Sequence, residues 1–174
     1  MAITVIYPGT FDPITYGHFD LINRAANSFA AVLVAVADNP GKSTLFSHAE
    51  RIQLAKRVLK PLYPLVTVQG FTGLLTQFAQ SQKIHLILRG LRAVSDLEHE
   101  FQLASANRRV MPELETVFLM PAEQQAFTSA TIVREIASLG GDVSPFVHSV
   151  VKTALKNKLF PRKEALTEVE TNKR

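Results

Sequence analysis

His18, Lys42, Arg89 and Arg92 are the side chains here whose types and places could do chemistry. Arginine offers phosphate a fixed fork, lysine brings a mobile point charge, and histidine can donate to charge that builds up in a reaction. His18 opens a helical pattern, where free backbone amides and the helix dipole favour a bound anion. Such a set is cationic and short of obvious nucleophiles, which fits phosphate chemistry. When the attacking group is itself a phosphate, its oxygen is already ionised near neutral pH and no protein base is needed. The protein then has to align two anions that repel each other and to stabilise the charge developing on the phosphorus under attack.

The stretch that would organise this site is Tyr7-Pro-Gly-Thr-Phe-Asp-Pro-Ile-Thr-Tyr-Gly-His18. Ile3, Val5 and Ile6 ahead of it are a β-branched run suited to a buried parallel strand. Pro8 and Gly9 are expected to stop that strand and bend the chain with its amides facing one way, and Asp12-Pro13 is a second turn signal. From Gly17 the period changes, with Phe19, Ile22, Ala25, Ala26 and Phe29 recurring at helical spacing.

Strand and helix alternate from there on. Residues 31–37 are continuously apolar and closed by Asp38-Asn39-Pro40-Gly41, which predicts a second buried strand and its exit turn, with Lys42 following. Ser47-His-Ala-Glu50 is a capping box, and Ile52, Ala55, Val58 and Leu59 continue as the inner face of a helix ended by Pro61 and Pro64. Residues 65–69 predict a third strand, after which residues 70–72 turn into a helix carrying Leu74, Leu75, Phe78 and Ala79. Residues 84–88 predict a fourth strand that ends on Arg89-Gly90-Leu91-Arg92. Ser95-Asp-Leu-Glu98 reads as another capping box, for a helix to about Val110 with Leu97, Phe101 and Ala104 inward. Residues 116–120 predict a fifth strand and 128–139 a helix stopped by Gly140-Gly141. Ser144-Pro145 is then expected to start a last helix through Leu159.

This alternation calls for an α/β, Rossmann-like, doubly wound five-stranded parallel sheet with helices on both faces. Ligands of such sheets bind at the carboxyl ends of the strands. Residues 8–18, Lys42, 72–75, 89–92 and 124–131 all follow strands, so they should share one rim. Residues 1–160 are expected to form a single domain. Residues 161–174 have little to bury besides Leu166 and Val169, and read as a mobile tail or a partner-dependent helix.

Composition narrows the partners. A chain of 174 residues suffices for one full core. Nineteen Lys and Arg against 15 Asp and Glu give a net charge of +4 with no basic run, which fits phosphorylated small molecules rather than a nucleic acid. No cysteine is present, so neither a disulfide framework nor a thiolate metal site is available. The longest apolar run, 29–37, has nine residues, far below the roughly 20 of a membrane span, and no basic segment precedes an apolar one at the N-terminus. The expectation is a cytoplasmic protein without a membrane partner. His48, His85, His99 and His148 lack ligand-like spacing, and no metal ligands are assigned.

Thr15-x-Gly17-His18 behind Gly9-Thr10-Phe11-Asp12-Pro13 resembles the signature of nucleotidyltransferases with an H/T-x-G-H motif. Arg89-Gly-Leu-Arg-Ala93, Glu100, Asn107-Arg108, Met111-Pro-Glu-Leu-Glu115 and Phe118-Leu-Met-Pro121 extend the likeness, in order, to the phosphopantetheine adenylyltransferase family. The resemblance implies transfer of AMP from ATP to 4'-phosphopantetheine, giving dephospho-coenzyme A and pyrophosphate. His18, Lys42, Thr10 and Arg92 would be the catalytic set, with His18 stabilising the transition state. Thr10, Lys42, Leu75 and Arg89 would bind phosphopantetheine. Thr10, Phe11, His18, Gly90, Leu91, Arg92, Glu100, Gln125, Ala126, Phe127, Thr128, Ser129, Ala130 and Thr131 would bind ATP. Magnesium (Mg2+) would be carried mainly by ATP and pyrophosphate, since it keeps most of its water. A homohexamer and feedback binding of coenzyme A are further family expectations. Thr128-Ser-Ala-Thr131 departs from the family's Ile-Ser-Ser-Ser, and Ala130 cannot donate a side-chain hydrogen bond.

Two rivals remain at this point. A related nucleotidyltransferase would act on nicotinamide mononucleotide or an alcohol phosphate, and a non-catalytic nucleotide sensor would bind ATP without releasing pyrophosphate.

Overall fold

The computed structural model describes residues 3–39, 41, 43–91, 94–120, 122 and 129–161. Strands β1 (Thr4–Gly9), β2 (Ala31–Asp38), β3 (Val66–Thr72), β4 (Leu86–Gly90) and β5 (Glu115–Leu119) alternate with helices α1 (Tyr16–Ser28), α2 (His48–Leu59), α3 (Leu75–Gln82) and α4 (Val94–Val110). Helices α5 (Ala130–Ser138) and α6 (Ser149–Leu159) follow β5. The five strands form one sheet in the order 3-2-1-4-5, every neighbouring pair parallel. This is the Rossmann-like arrangement expected from the alternation.

Successive residues of a strand face opposite sides, and the two cores follow that rule. Val5, Tyr7, Val32, Val34, Val36, Val66 and Leu88 face the cluster filled by α1, α2, α5 and α6. Ile6, Leu33, Ala35 and Ile87 face a smaller cluster with Phe78 and Ala79 of α3, Met111 and Leu114. Each fully buried aliphatic side chain contributes about 1.5–3 kcal/mol of transfer free energy.

Several boundaries differ from expectation. Pro8 and Gly9 do not stop β1, because their parallel register with Ala35 and Val36 of β2 continues. β3 likewise runs through Gly70, Phe71 and Thr72 beside Val36, Ala37 and Asp38, and the turn falls instead at Gly73, whose φ of +80° suits glycine. Helix α4 begins at Val94, so Ser95 lies inside it and is not its cap. Phe101, expected inward, is 52% exposed, whereas Glu100 is buried. Ser144-Pro145 sits in a turn, and α6 starts at Ser149 behind an N-cap supplied by His148. The tail expected over 161–174 lies outside the described residues from 162 onward.

Candidate active site

A cleft of roughly 480 Å³ opens at the carboxyl ends of β1 and β4, where the strand order reverses. From β1 and the loop after it come Tyr7, Gly9, Thr10, Phe11 and Asp12, from α1 Gly17, His18 and Leu21, and from β4 Arg89 and Gly90. Glu100 of α4, Ser43, Thr44, Ser129, Ala130, Thr131 and Arg134 complete its wall. Gly9 is required by packing, since a Cβ there would stand 2.8 Å from Phe11 Cζ.

The motif histidine is oriented by its own helix start. Thr15 is the N-cap of α1, and its side chain accepts from the His18 amide. In return the Thr15 N–H donates to His18 Nδ1 at 3.0 Å, which closes a capping box. An Nδ1 that accepts a hydrogen bond leaves the proton of the neutral ring on Nε2. The Phe11 ring lies edge-on to His18 at 5.1 Å and to Tyr7 at 5.6 Å, and Phe11 is only 2% exposed. Its ring therefore serves as a spacer packed between Tyr7 and His18.

Arg89 and Glu100, expected to contact different substrates, are paired with each other. Arg89 donates from Nε to Glu100 Oε2 at 2.6 Å and from Nη2 to Oε1 at 2.5 Å, and its Nη1 donates to the Pro8 carbonyl at 3.2 Å. Three of the five guanidinium N–H groups are engaged by these partners. Burial on its own would lower the Arg89 pKa, but the Glu100 hydrogen bonds and charge outweigh it and raise the value. An arginine closing an apolar strand needs such a partner, and the wall near β4 is consequently less positive than the sequence implied.

Two charged groups with no role expected from the sequence, Asp12 and Arg134, line the wall, and a third, Arg51, braces it from below. The Asp12 carboxylate, 3% exposed, accepts the amides of Leu45 at 2.8 Å and Phe46 at 3.0 Å and sits 3.4 Å from Arg134 Nη1. Arg134 also donates to the Asp12 carbonyl. Arg51, 1% exposed, reaches the Thr10 loop from α2. The signal for Arg51 was its place on the inner face of α2 at the i, i+3, i+4 and i+7 relation to Leu54, Ala55 and Val58. Asp12 and Arg134 are 122 residues apart, which no spacing rule connects.

Of the expected site residues, Thr10, Phe11, His18, Arg89, Gly90, Glu100, Ser129, Ala130 and Thr131 are brought together in this cleft. Ser129 caps α5, its hydroxyl accepting from the Ile132 amide at 3.1 Å, and Thr131 Oγ1 accepts from Arg134 at 3.4 Å. Leu75 is not part of the wall and packs against the smaller core cluster. Leu91 is also outside it, its N–H donating to the Leu119 carbonyl at 3.0 Å. Lys42, Arg92, Gln125, Ala126, Phe127 and Thr128 fall outside the described residues, although Ser43 and Thr44 beside Lys42 line the cleft. Among the described residues no cluster of three His, Asp or Glu side chains could hold a metal ion. The cleft's own carboxylates, Asp12 and Glu100, are occupied by amides and arginines. No helix among the described residues is long and apolar enough to cross a membrane.

A family model described as cytidylyltransferase-like matches residues 6–136. The chain is similar to the phosphopantetheine adenylyltransferase of Nitrosomonas eutropha, strain DSM 101675 / C91 / Nm57, with 59% identity over 154 residues that cover 88% of this chain and 93% of that one. Its likeness to the phosphopantetheine adenylyltransferase of Hahella chejuensis, strain KCTC 2396, is 54% identity over 160 residues, 92% of this chain and 99% of the other. Among solved structures, a Vibrio parahaemolyticus chain assigned as a nicotinate-nucleotide adenylyltransferase superposes with a TM-score of 0.67, covering 91% of this chain and 95% of that one. At 16% identity that likeness speaks for the fold alone.

Proposed function

Since the chain belongs to the cytidylyltransferase-like family, and within it to the phosphopantetheine adenylyltransferases, we propose that its cleft transfers AMP from ATP to 4'-phosphopantetheine. The products are dephospho-coenzyme A and pyrophosphate, a step of coenzyme A synthesis. A phosphate oxygen of phosphopantetheine attacks the α-phosphorus of ATP in line, the bond to the β-phosphate oxygen breaks, and pyrophosphate leaves. No covalent enzyme intermediate is needed.

The observation that supports this reading most is the meeting of Thr10, His18, Arg89 and the α5 start in one cleft from three separate stretches of chain. His18 donates from Nε2 to the oxygen gaining charge at the α-phosphate. Such a donor acts mainly in the transition state, because its direction is set beforehand by Thr15. Thr10, Lys42 and Arg89 receive the phosphate of phosphopantetheine, with Arg89 presenting the N–H groups that Glu100 and Pro8 leave over. Gly90, Arg92, Glu100 and residues 125–131 receive ATP. Magnesium enters as the magnesium complex of ATP, because the carboxylates of the wall are already engaged. The cytoplasm, where ATP is abundant, is the compartment this reading requires. Self-association into a hexamer is supported by the apolar side chains left open along α4 and just after β5, Phe101, Leu103, Val110 and Met120.

The test is an acceptor panel. Purified protein with ATP and magnesium should release pyrophosphate with 4'-phosphopantetheine, and at least about 100-fold more slowly with nicotinamide mononucleotide or simple alcohol phosphates, the discrimination that unpaired polar contacts give. Equal rates across the panel would contradict the assignment of the acceptor, and ATP binding without any pyrophosphate would leave only a nucleotide sensor.

A further inference from the structure

Arg51 carries a guanidinium into the core beneath the cleft, although arginine is among the residues least often buried. Its Nε donates to the Phe46 carbonyl at 3.2 Å, and Nη1 donates to the carbonyls of Thr10 at 2.6 Å and Ala37 at 2.8 Å. An Asp38 carboxylate oxygen lies 3.7 Å from Nη2, on a side chain that is 43% exposed. A cation held mainly by backbone carbonyls is an expensive way to fill space, and an apolar side chain would serve packing alone.

The three carbonyls belong to the segments that meet at the cleft: the loop after β1, the end of β2 and the approach to α2. Residues 38–45, which include the cleft-lining Ser43 and Thr44, are bracketed by two of these anchors. The third anchor sets a peptide plane. In a trans peptide the C=O and N–H point opposite ways, so a Thr10 carbonyl turned toward Arg51 turns the Phe11 N–H away from it, toward the cleft that both residues line. Phe11 holds φ at 49°, a region that bulky residues rarely adopt and that persists only where the surroundings over-determine it.

We propose that Arg51 is a positioning residue for the transfer reaction: by holding the Thr10 carbonyl inward it presents the Phe11 amide to a substrate phosphate, and by holding the Ala37 and Phe46 carbonyls it fixes the approach of Ser43 and Thr44 to the cleft. This rests on the adenylyl-transfer reading of the cleft. Lysine keeps the charge but lacks the planar fork that reaches several acceptors at once, so Arg51→Lys separates charge from geometry, and Arg51→Met removes both.

Kinetics with ATP and 4'-phosphopantetheine, corrected for the folded fraction by calorimetry, should show kcat reduced about 10–100-fold in Arg51→Lys, the scale of a misaimed donor. If the variant melts earlier but its folded molecules keep kcat within about threefold, Arg51 is only structural and the proposal is overturned. Should neither variant fold, amide exchange on the wild-type protein decides. The Phe11 amide should exchange quickly in free protein and at least about tenfold more slowly with saturating ATP, as a newly bonded amide does. Slow exchange before ATP is added, or no change after it, overturns the proposal. Wild type in the same assay tests the underlying reading separately: no pyrophosphate from it sinks the transfer reaction, while the exchange experiment needs no turnover.

Discussion

Around the β1–α1 loop, charged side chains are buried and tie backbone groups across long stretches of sequence; along α4 and just after β5, apolar side chains stand in the open. Asp12 and Arg51 are 3% and 1% exposed and bind amides or carbonyls of neighbouring loops. Phe101, Val110 and Met120, on or just beyond α4 and β5, are 52%, 64% and 73% exposed. Phe101 contacts Phe118 edge-on at 5.4 Å, so this surface is ordered but uncovered. The contrast teaches that one chain by itself can set the site's geometry, because directional polar anchors need no outside surface. Exposed apolar side chains, by contrast, are covered only by a surface brought from outside.

The comparison can be broken most forcefully at the loop. His18→Ala should leave the fold intact and lower turnover by about 10²–10³, the usual scale for one transition-state donor. Its melting temperature should fall only a few degrees, because about 0.5–1 kcal/mol of capping is lost. Near-normal turnover would remove His18 from its role. Asp12→Ala leaves two amides and Arg134 without their carboxylate, and should cost about 3 kcal/mol, a drop of roughly 6–12 °C in melting temperature. A loss below about 1 kcal/mol would show that the anchors are ornamental.

At the other edge the expected effects are smaller in the monomer and different in kind. Phe101→Ser should change monomer stability by no more than about 0.5 kcal/mol, as at an exposed position, yet shift sedimentation toward smaller species. Unchanged sedimentation would mean that the α4–β5 face is not what holds copies together. Smallest of all is the exposed pair between Lys152 of α6 and Asp142 ahead of it. Hydrogen bonds from Lys152 and Ser144 hold the Asp142 carboxyl down to about 2 from an ordinary 3.8. Its contribution is thus complete above 3.8 and is lost as pH falls through about 2. Lys152→Met should raise the Asp142 titration in NMR toward 3.8, with the melting temperature at neutral pH within about 2 °C of wild type. A titration that stays where it was would remove Lys152 as the cause.

Much of this contrast could be read from the sequence, and the failures have physical causes. The alternation of apolar runs and helical periods foretold each β-strand and α-helix among the described residues, because a sheet buried on both faces writes itself as continuous apolar stretches. Pro8-Gly9 and residues 70–72 were read as strand exits. Pairing to β2 overrode that local preference, since β2 runs on to Asp38 and its neighbours follow. Glu100 was singled out by the family likeness alone; its pairing with Arg89 and its burial are beyond what periodicity can see. Phe101 was placed inward by a rule that fills cores, but α4 turns Glu100 inward at that level and leaves its neighbour outside. The motif itself was legible because its chemistry is local: Thr15 and His18 meet within one helical turn. Arg51 and Arg134 reach the same loop from 41 and 122 residues away, and only the folded chain brings them there.

The reverse reaction tests the central claim most directly, because it needs both phosphorylated ligands to occupy the one cleft. Dephospho-coenzyme A and magnesium pyrophosphate, incubated with the protein, should yield ATP and 4'-phosphopantetheine in equal amounts, and His18→Ala should suppress both together. Absence of ATP from wild-type protein that is folded and binds dephospho-coenzyme A would contradict the account.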